Sequence, residues 1–302
     1  MSYEAWIIVT GMLVGVTCAL IGAFLVLRRM SMLADAISHT VLLGIVGSFL
    51  VTRTLDGLPM FIGAVIVGLL TAFFVQLLNT NGVQSDAAIG VVFTSLFAVG
   101  VILLSVYGGN VHLDVEHTLM GEIAFVPWDT IELFGRDIGP GAFWMLVIVL
   151  VINAAILALF YKEFKLAAFD PEMALAIGIP VLVLHYLQMG MLSTTTVASF
   201  DSVGAILVVA MLIVPPAAAY LLTDRLITML FYSAGIGALS AISGYYAAYL
   251  LNVSISGAMT SMTGVFFILA FFFAPSHGVI AKRMVQRRIR LQTVKEGKMK
   301  EV

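Results

Sequence analysis

The chain has 302 residues, of which 61% are hydrophobic and 11% charged, with a formal net charge of −2 and a mean hydropathy of +1.10. A soluble domain carries about a quarter charged residues, so most of this chain must face lipid or other apolar helices. Its single cysteine, Cys18, excludes a disulfide framework within the chain and argues against a thiolate metal cluster.

Apolar runs long enough to cross a bilayer core occur at 5–27, 33–52, 59–79, 87–107, 142–161, 181–200, 204–222, 226–250 and 259–275. Spanning segments must satisfy their own backbone hydrogen bonds, so the runs are expected to be helices. The fold class is therefore an all-α polytopic membrane bundle of about nine spans. The first run lacks the positive region of a signal peptide and reads as a retained span. The seventh contains Pro215-Pro216 and is open to being a broken or re-entrant helix. Residues 1–280 form one membrane domain and 281–302 a basic tail.

With the N-terminus outside, thirteen of the fifteen Lys and Arg residues fall on the inner side, and only Arg53 and Arg136 outside. The positive-inside rule selects that orientation, with the C-terminus cytoplasmic. The outer connection, about 108–141, is acidic. The inner one, KEFKLAAFDPEMALAIGIP at 162–180, holds Asp170 before Pro171, a helix start with a capping carboxylate. Glu172 adds favourable charge in the first turn, and the short helix should stop near Gly178. Such a helix suits docking to a soluble partner. Small residues at close-packing spacing, Gly11/Gly15 and the stretch 233–243, point to tight helix contacts.

Ionisable groups within spans are costly and rare. Asp35 and His39 stand at i, i+4 in LADAISHTVLLG, on one face of the second helix. A carboxylate and an imidazole suit Mn²⁺ or Zn²⁺; a pair that satisfies itself between helices, or a proton relay, fits the spacing too. Ser38 and Thr40 are candidates to support the pair. Asp201 either caps the next helix or lines the mouth of a path. His185 reads as a packing residue. His112, Asp114, Glu116, His117 and Glu122 cluster in the outer loop without a fixed ligand spacing, as a cation-attracting or docking surface. No phosphate-binding G-x-x-x-x-G-K-[ST] loop and no H-E-x-x-H motif occur, so ATP binding in the P-loop manner is not expected of this chain.

LRRMSMLADAISHTVLLG, Asp86-Ala87-Ala88-Ile89-Gly90, His117-Thr118-Leu119-Met120-Gly121-Glu122, FDPEMALAIGIP and VGAILVVAMLIVPPAAAYLLT together resemble the permease subunits of bacterial ABC importers for manganese, zinc and iron. The resemblance covers about 5–280, is nearest the manganese branch, and departs at Ala34, where glycine is common. It implies a type II ABC importer-like bundle that moves a divalent metal, with no catalytic residues and no permanently bound cofactor. The implied cargo is Mn²⁺, with Zn²⁺ or Fe²⁺ as alternatives, held at Asp35 and His39. Asp201, His117 and Glu122 would line the path. Phe169, Asp170, Pro171, Glu172, Ala174 and Gly178 would form the ATPase-coupling loop. Implied partners are cytoplasmic ATPase subunits, an extracytoplasmic metal-binding lipoprotein, a second permease (identical or sibling) and the lipid bilayer; nucleic acid is not among them. The rival readings are a metal-chelate permease, a proton-coupled secondary transporter using Asp35, and a membrane metalloenzyme.

Overall fold

The computed structural model describes residues 2–53, 57–107, 123–133, 136–275 and 278. Among them nine helices are long and apolar enough to cross a membrane. These are α1 (Tyr3–Leu27), α2 (Ser31–Thr52), α3 (Gly57–Thr80), α4 (Ser85–Tyr107), α5 (Gly141–Leu159), α8 (Val181–Val203), α9 (Ala205–Leu222), α10 (Leu226–Leu251) and α11 (Ile255–Phe273). Two shorter helices, α6 (Tyr161–Phe169) and α7 (Pro171–Ala176), lie between α5 and α8.

Helix ends follow local chemistry. Ser2 caps α1 by accepting from the Ala5 amide at 3.3 Å. α1 and α2 are joined by a tight turn through Arg29 at φ 56°. Asn252, left-handed at φ 52°, ends α10, and the Ser254 side chain caps α11. Between α8 and α9 stands Gly204 at φ 79°, ψ 166°, a backbone region essentially closed to residues with a Cβ. That glycine divides what would otherwise be one helix of more than 40 residues.

α1 is the central post. It packs against α10, α9, α5 and α8, whereas α2 turns away from it to lie on α3 and α4. α9, α10 and α11 form a second flank. The expected small-residue packing is present: a Cβ on Gly15 would stand 2.7 Å from the Gly237 carbonyl carbon, so the α1 and α10 backbones touch directly.

The Pro215-Pro216 segment, which left a break open, is not broken: α9 is one continuous helix through both prolines. Pro216 has no N–H for the carbonyl of Leu212, four residues earlier. That carbonyl lies where Gly22 of α1 would carry a Cβ, so a bare Cα of the neighbouring helix packs against it. Close packing by a neighbouring helix is what lets a membrane helix tolerate proline.

Between α4 and α5, Val126–Trp128 form a 3-10 turn and Thr130–Leu133 (β1) pairs antiparallel with Arg136–Pro140 (β2), with Leu133 opposite Arg136. The acidic composition of this connection gave no sign of the strand pair. The Tyr3 hydroxyl donates to the Ala124 carbonyl and Trp6 meets Phe143 edge-on at 5.2 Å, which ties this connection and the first turn of α5 to the start of α1.

Candidate functional site

α2 is buried at Leu33, Ala34, Ala36, Ile37, Ser38, Thr40, Val41 and Leu42. Asp35 and His39 break this pattern: their side chains are 40% and 41% exposed in the single chain, and Asp35 Oδ1 lies 3.6 Å from His39 Nε2. That separation is too long for a hydrogen bond, so the pair does not satisfy itself. With metal–ligand distances of about 2.0–2.2 Å, the two donors subtend roughly 110–130° at a shared ion, near the tetrahedral angle. Closing to the right angle of an octahedral ion takes a movement of about half an ångström, within reach of a carboxylate rotation.

Among the described residues, no group of three or more His, Cys, Asp and Glu could hold a metal, so this chain offers two donors at α2. Ser38 and Thr40 do not add to them. The Ser38 hydroxyl donates to the Asp35 carbonyl at 2.7 Å; Thr40 donates to the Ile37 carbonyl at 3.1 Å and accepts from Thr71 at 2.9 Å. Both side chains are fully buried; the Ser38 bond stays within α2, and the Thr40 bond fastens α2 to α3.

The exposed stripe of α2 continues at i+4 steps through Leu43, Gly47 and Val51. With Leu58, Ile62 and Ile66 of α3 these line an open apolar cavity of about 460 Å³. The cavity excludes Asp35 and His39 and is almost free of polar atoms, so the chemistry lies below it on the same stripe.

The connection at 162–180 is the second element singled out by sequence. Asp170 Oδ1 accepts from the Met173 amide at 2.9 Å, the expected cap of α7, and Pro171 occupies its first turn. Gly178, at φ 86°, follows the helix end. Ala174 is fully buried, so it anchors the segment. Phe169, Met173, Leu175 and Ile177 are all more than half exposed and make an apolar surface outside the spans, flanked by exposed Asp170 and Glu172. Beside this segment Arg28, at the end of α1, donates to Gln188 of α8 at 2.7 Å, and burial lowers the guanidinium pKa from its ordinary value. His185, one turn from Gln188, is buried in ring contact with Tyr186, as a packing histidine would be.

Residues 2–274 match the ABC 3 transport family. The chain belongs to that family. It is 71% identical over 297 residues to the manganese transport system membrane protein MntD of Bacillus subtilis (strain 168), covering 98% of this chain and 100% of that one. It is 44% identical over 286 residues to the zinc transport system membrane protein TroD of Treponema pallidum (strain Nichols), covering 94% of this chain and 78% of that one. Among solved structures, PsaBC from Streptococcus pneumoniae in complex with Fab aligns with a TM-score of 0.76 at 33% identity, over 92% of this chain and 94% of that one. As a member of the ABC 3 transport family, the chain is a multi-pass membrane transport subunit.

For this family member the remaining sequence expectations divide. His112, Asp114, Glu116, His117, Glu122 and the basic tail lie outside the described residues. Asp201 lies in the last turn of α8 by its backbone, three residues before Gly204, the N-cap residue of α9. Sequence reasoning missed the wall of the site. Phe93 and Phe97 of α4 both meet the His39 ring, each with centroids 5.8 Å apart and with interplanar angles of 33° and 70°. The i, i+4 spacing of two phenylalanines was visible, but which helix they would face was not.

Proposed function

We propose that this chain is the membrane-spanning permease of an ATP-driven importer that carries manganese from an extracytoplasmic binding lipoprotein to the cytoplasm. Asp35 and His39 are the protein donors to the ion in transit. The observation that carries the reading is the mutually unbonded Asp35–His39 pair, two-fifths exposed among the buried residues Leu33, Ala34, Ala36, Ile37, Ser38 and Thr40 of α2. A charged pair on that face cannot be left against lipid. It needs a second permease subunit to close over it and a cation between the donors, with backbone carbonyls or water completing the shell.

Manganese is favoured by the 71% identity to a protein named for manganese transport. Zinc is the second reading, favoured by the relative named for zinc transport at 44%; carboxylate and imidazole accept either ion. The apolar surface of Phe169, Met173, Leu175 and Ile177, with Asp170, Pro171, Glu172 and Gly178, is the part that docks into the cytoplasmic ATPase. The N-terminus is outside and the basic tail 281–302 inside. Asp201, His117 and Glu122 belong to the outer approach.

The test is uptake by proteoliposomes holding the assembled complex, with Mn²⁺ and Zn²⁺ offered separately. Asp35→Ala and His39→Ala should assemble and lose uptake, and the preferred ion names the cargo. Near-normal uptake in both variants refutes the site. Uptake that persists without the ATPase chain favours a proton-coupled transporter instead. Orientation is tested by cysteine labelling: an impermeant maleimide on intact cells should modify Val253→Cys and spare Val83→Cys.

A further inference from the structure

A histidine that binds a metal is normally held by its other ring nitrogen, which donates to a carboxylate, a carbonyl or water and thereby fixes the ring. Among the described residues, His39 makes no hydrogen bond, and Asp35 at 3.6 Å is too far to orient it. Two aromatic rings meet the imidazole instead. Phe93 lies tilted at 33° and Phe97 edge-on at 70°, both at 5.8 Å. Rings at such offsets are in the attractive range for aromatic pairs. The tilted ring and the edge-on ring meet the imidazole at different angles and together restrict its rotation, with Nε2 on the Asp35 side at 3.6 Å from Oδ1.

The two phenylalanines are held in place by the way α4 lies on α2. Gly100, seven residues after Phe93 and three after Phe97, is on the same face of α4. A Cβ there would stand 3.0 Å from the backbone nitrogen of Leu43, one turn above His39. The bare Gly100 therefore sets the depth at which Phe93 and Phe97 reach the imidazole.

We propose that Phe93 and Phe97 are positioning residues for the transported ion: they clamp His39 and take over the task that a second hydrogen bond performs at other metal-binding histidines. Gly100 seats that clamp. This rests on the reading of Asp35 and His39 as ion donors, and it assigns to α4 a role in binding that its own apolar chemistry does not reveal.

The experiment is Mn²⁺ binding to the purified permease–ATPase complex in nanodiscs, without binding protein, followed by loss of the free Mn²⁺ electron paramagnetic resonance signal. Phe93→Leu and Phe97→Leu should each raise the Kd about tenfold, the lower end of what losing an orienting partner does. Phe97→Tyr, which keeps the ring, should bind as wild type. Ile102→Ala, exposed on the same helix and outside the clamp, should also bind as wild type. Gly100→Ala keeps both rings, lifts α4 from α2 and should weaken binding in the same direction; it serves where a leucine variant fails to assemble. Wild-type affinity in the assembled leucine variants and in Gly100→Ala overturns the clamp. Equal weakening by Ile102→Ala overturns it too, since the effect would then be a general loosening. Asp35→Ala separates the two ideas: if it retains Mn²⁺ binding, the reading of the site itself has failed, whatever the phenylalanine variants do.

Discussion

Replacing Gly15 by alanine should force α1 and α10 apart. The added Cβ would lie 2.7 Å from the carbonyl carbon of Gly237 and 2.8 Å from its oxygen. Carbon atoms pack at about 3.5–4.0 Å, so the backbones must separate by roughly 1 Å or tilt, and neither partner is a side chain that can rotate away. Overpacking of this kind costs ~1–3 kcal/mol. Alanine offsets ~0.5–1 kcal/mol of this through its better helix propensity, which leaves a net loss of up to ~2.5 kcal/mol, centred on ~1 kcal/mol. Gly235 on α10 is the control: an added Cβ there has nothing within 4 Å, so only the propensity gain remains. Thermal unfolding in one detergent, followed by the fraction eluting as folded protein, should place Gly15→Ala below wild type and Gly235→Ala at or above it. If Gly15→Ala melts no lower than Gly235→Ala, backbone contact between these helices is not what holds α1 to α10.

Asp170→Ala removes the cap on the Met173 amide and should weaken α7 locally by ~1 kcal/mol. Because α7 lies outside the spans, the melting point should hold while co-purification of the ATPase falls. Asn153→Leu deletes the 2.7 Å hydrogen bond to Thr195 between α5 and α8. Such bonds contribute ~0.6–2 kcal/mol in membranes, so thermal unfolding should show a smaller loss than a buried charge would give. Cys18 is fully buried with its Sγ 3.7 Å from Ser199 Oγ. A maleimide should leave it unmodified in the folded protein and label it after denaturation in sodium dodecyl sulfate.

The nine spans were legible because lipid imposes a length and a composition on each crossing, and the Asp170 cap because capping is local chemistry. Gly15 and Gly237 announced close packing by residue size alone. What sequence did not reveal was tertiary. The peptide YKEFKLAAF was read as loop, yet it is helix α6, because Phe164 and Ala167, three apart, are buried against the bundle and Phe164 meets Phe24 of α1 at 5.7 Å. The prolines of α9 suggested a break because their effect was judged without Gly22 of the neighbouring helix. Asp35 and His39 stood out as ionisable residues in an apolar run, whereas Phe93 and Phe97 were two phenylalanines among twenty. Their meaning depends on α4 crossing α2 at Gly100, a contact between separate helices that no single stretch of chain encodes.

Polar residues inside this bundle are of two kinds, and the difference is why the proposed site is on α2 and not on α8. α8 is the richer in polar groups, with Ser193, Thr195, Thr196, Ser199 and Ser202 all buried. They are neutral, and most find partners nearby: Ser193 donates to the Val65 carbonyl at 3.3 Å, Thr195 accepts from Asn153 at 2.7 Å, and Ser202 donates to the Ser199 carbonyl at 2.9 Å. The first two bonds fasten α8 to α3 and α5, the third stays within α8, and hydroxyls satisfied in this way offer little to a passing ion. Asp35 and His39 are ionisable, lie 3.6 Å apart and remain two-fifths exposed in the single chain. A bilayer demands a partner for every polar group, and the demand is greatest for a carboxylate. Under the proposed function the missing partner is the cargo. An ion that sheds part of its water is stabilised by the carboxylate and the imidazole, and their own desolvation is offset by the ion. Permanent internal bonding at this pair would remove that exchange, so the incomplete bonding of Asp35 and His39 is the condition for transport.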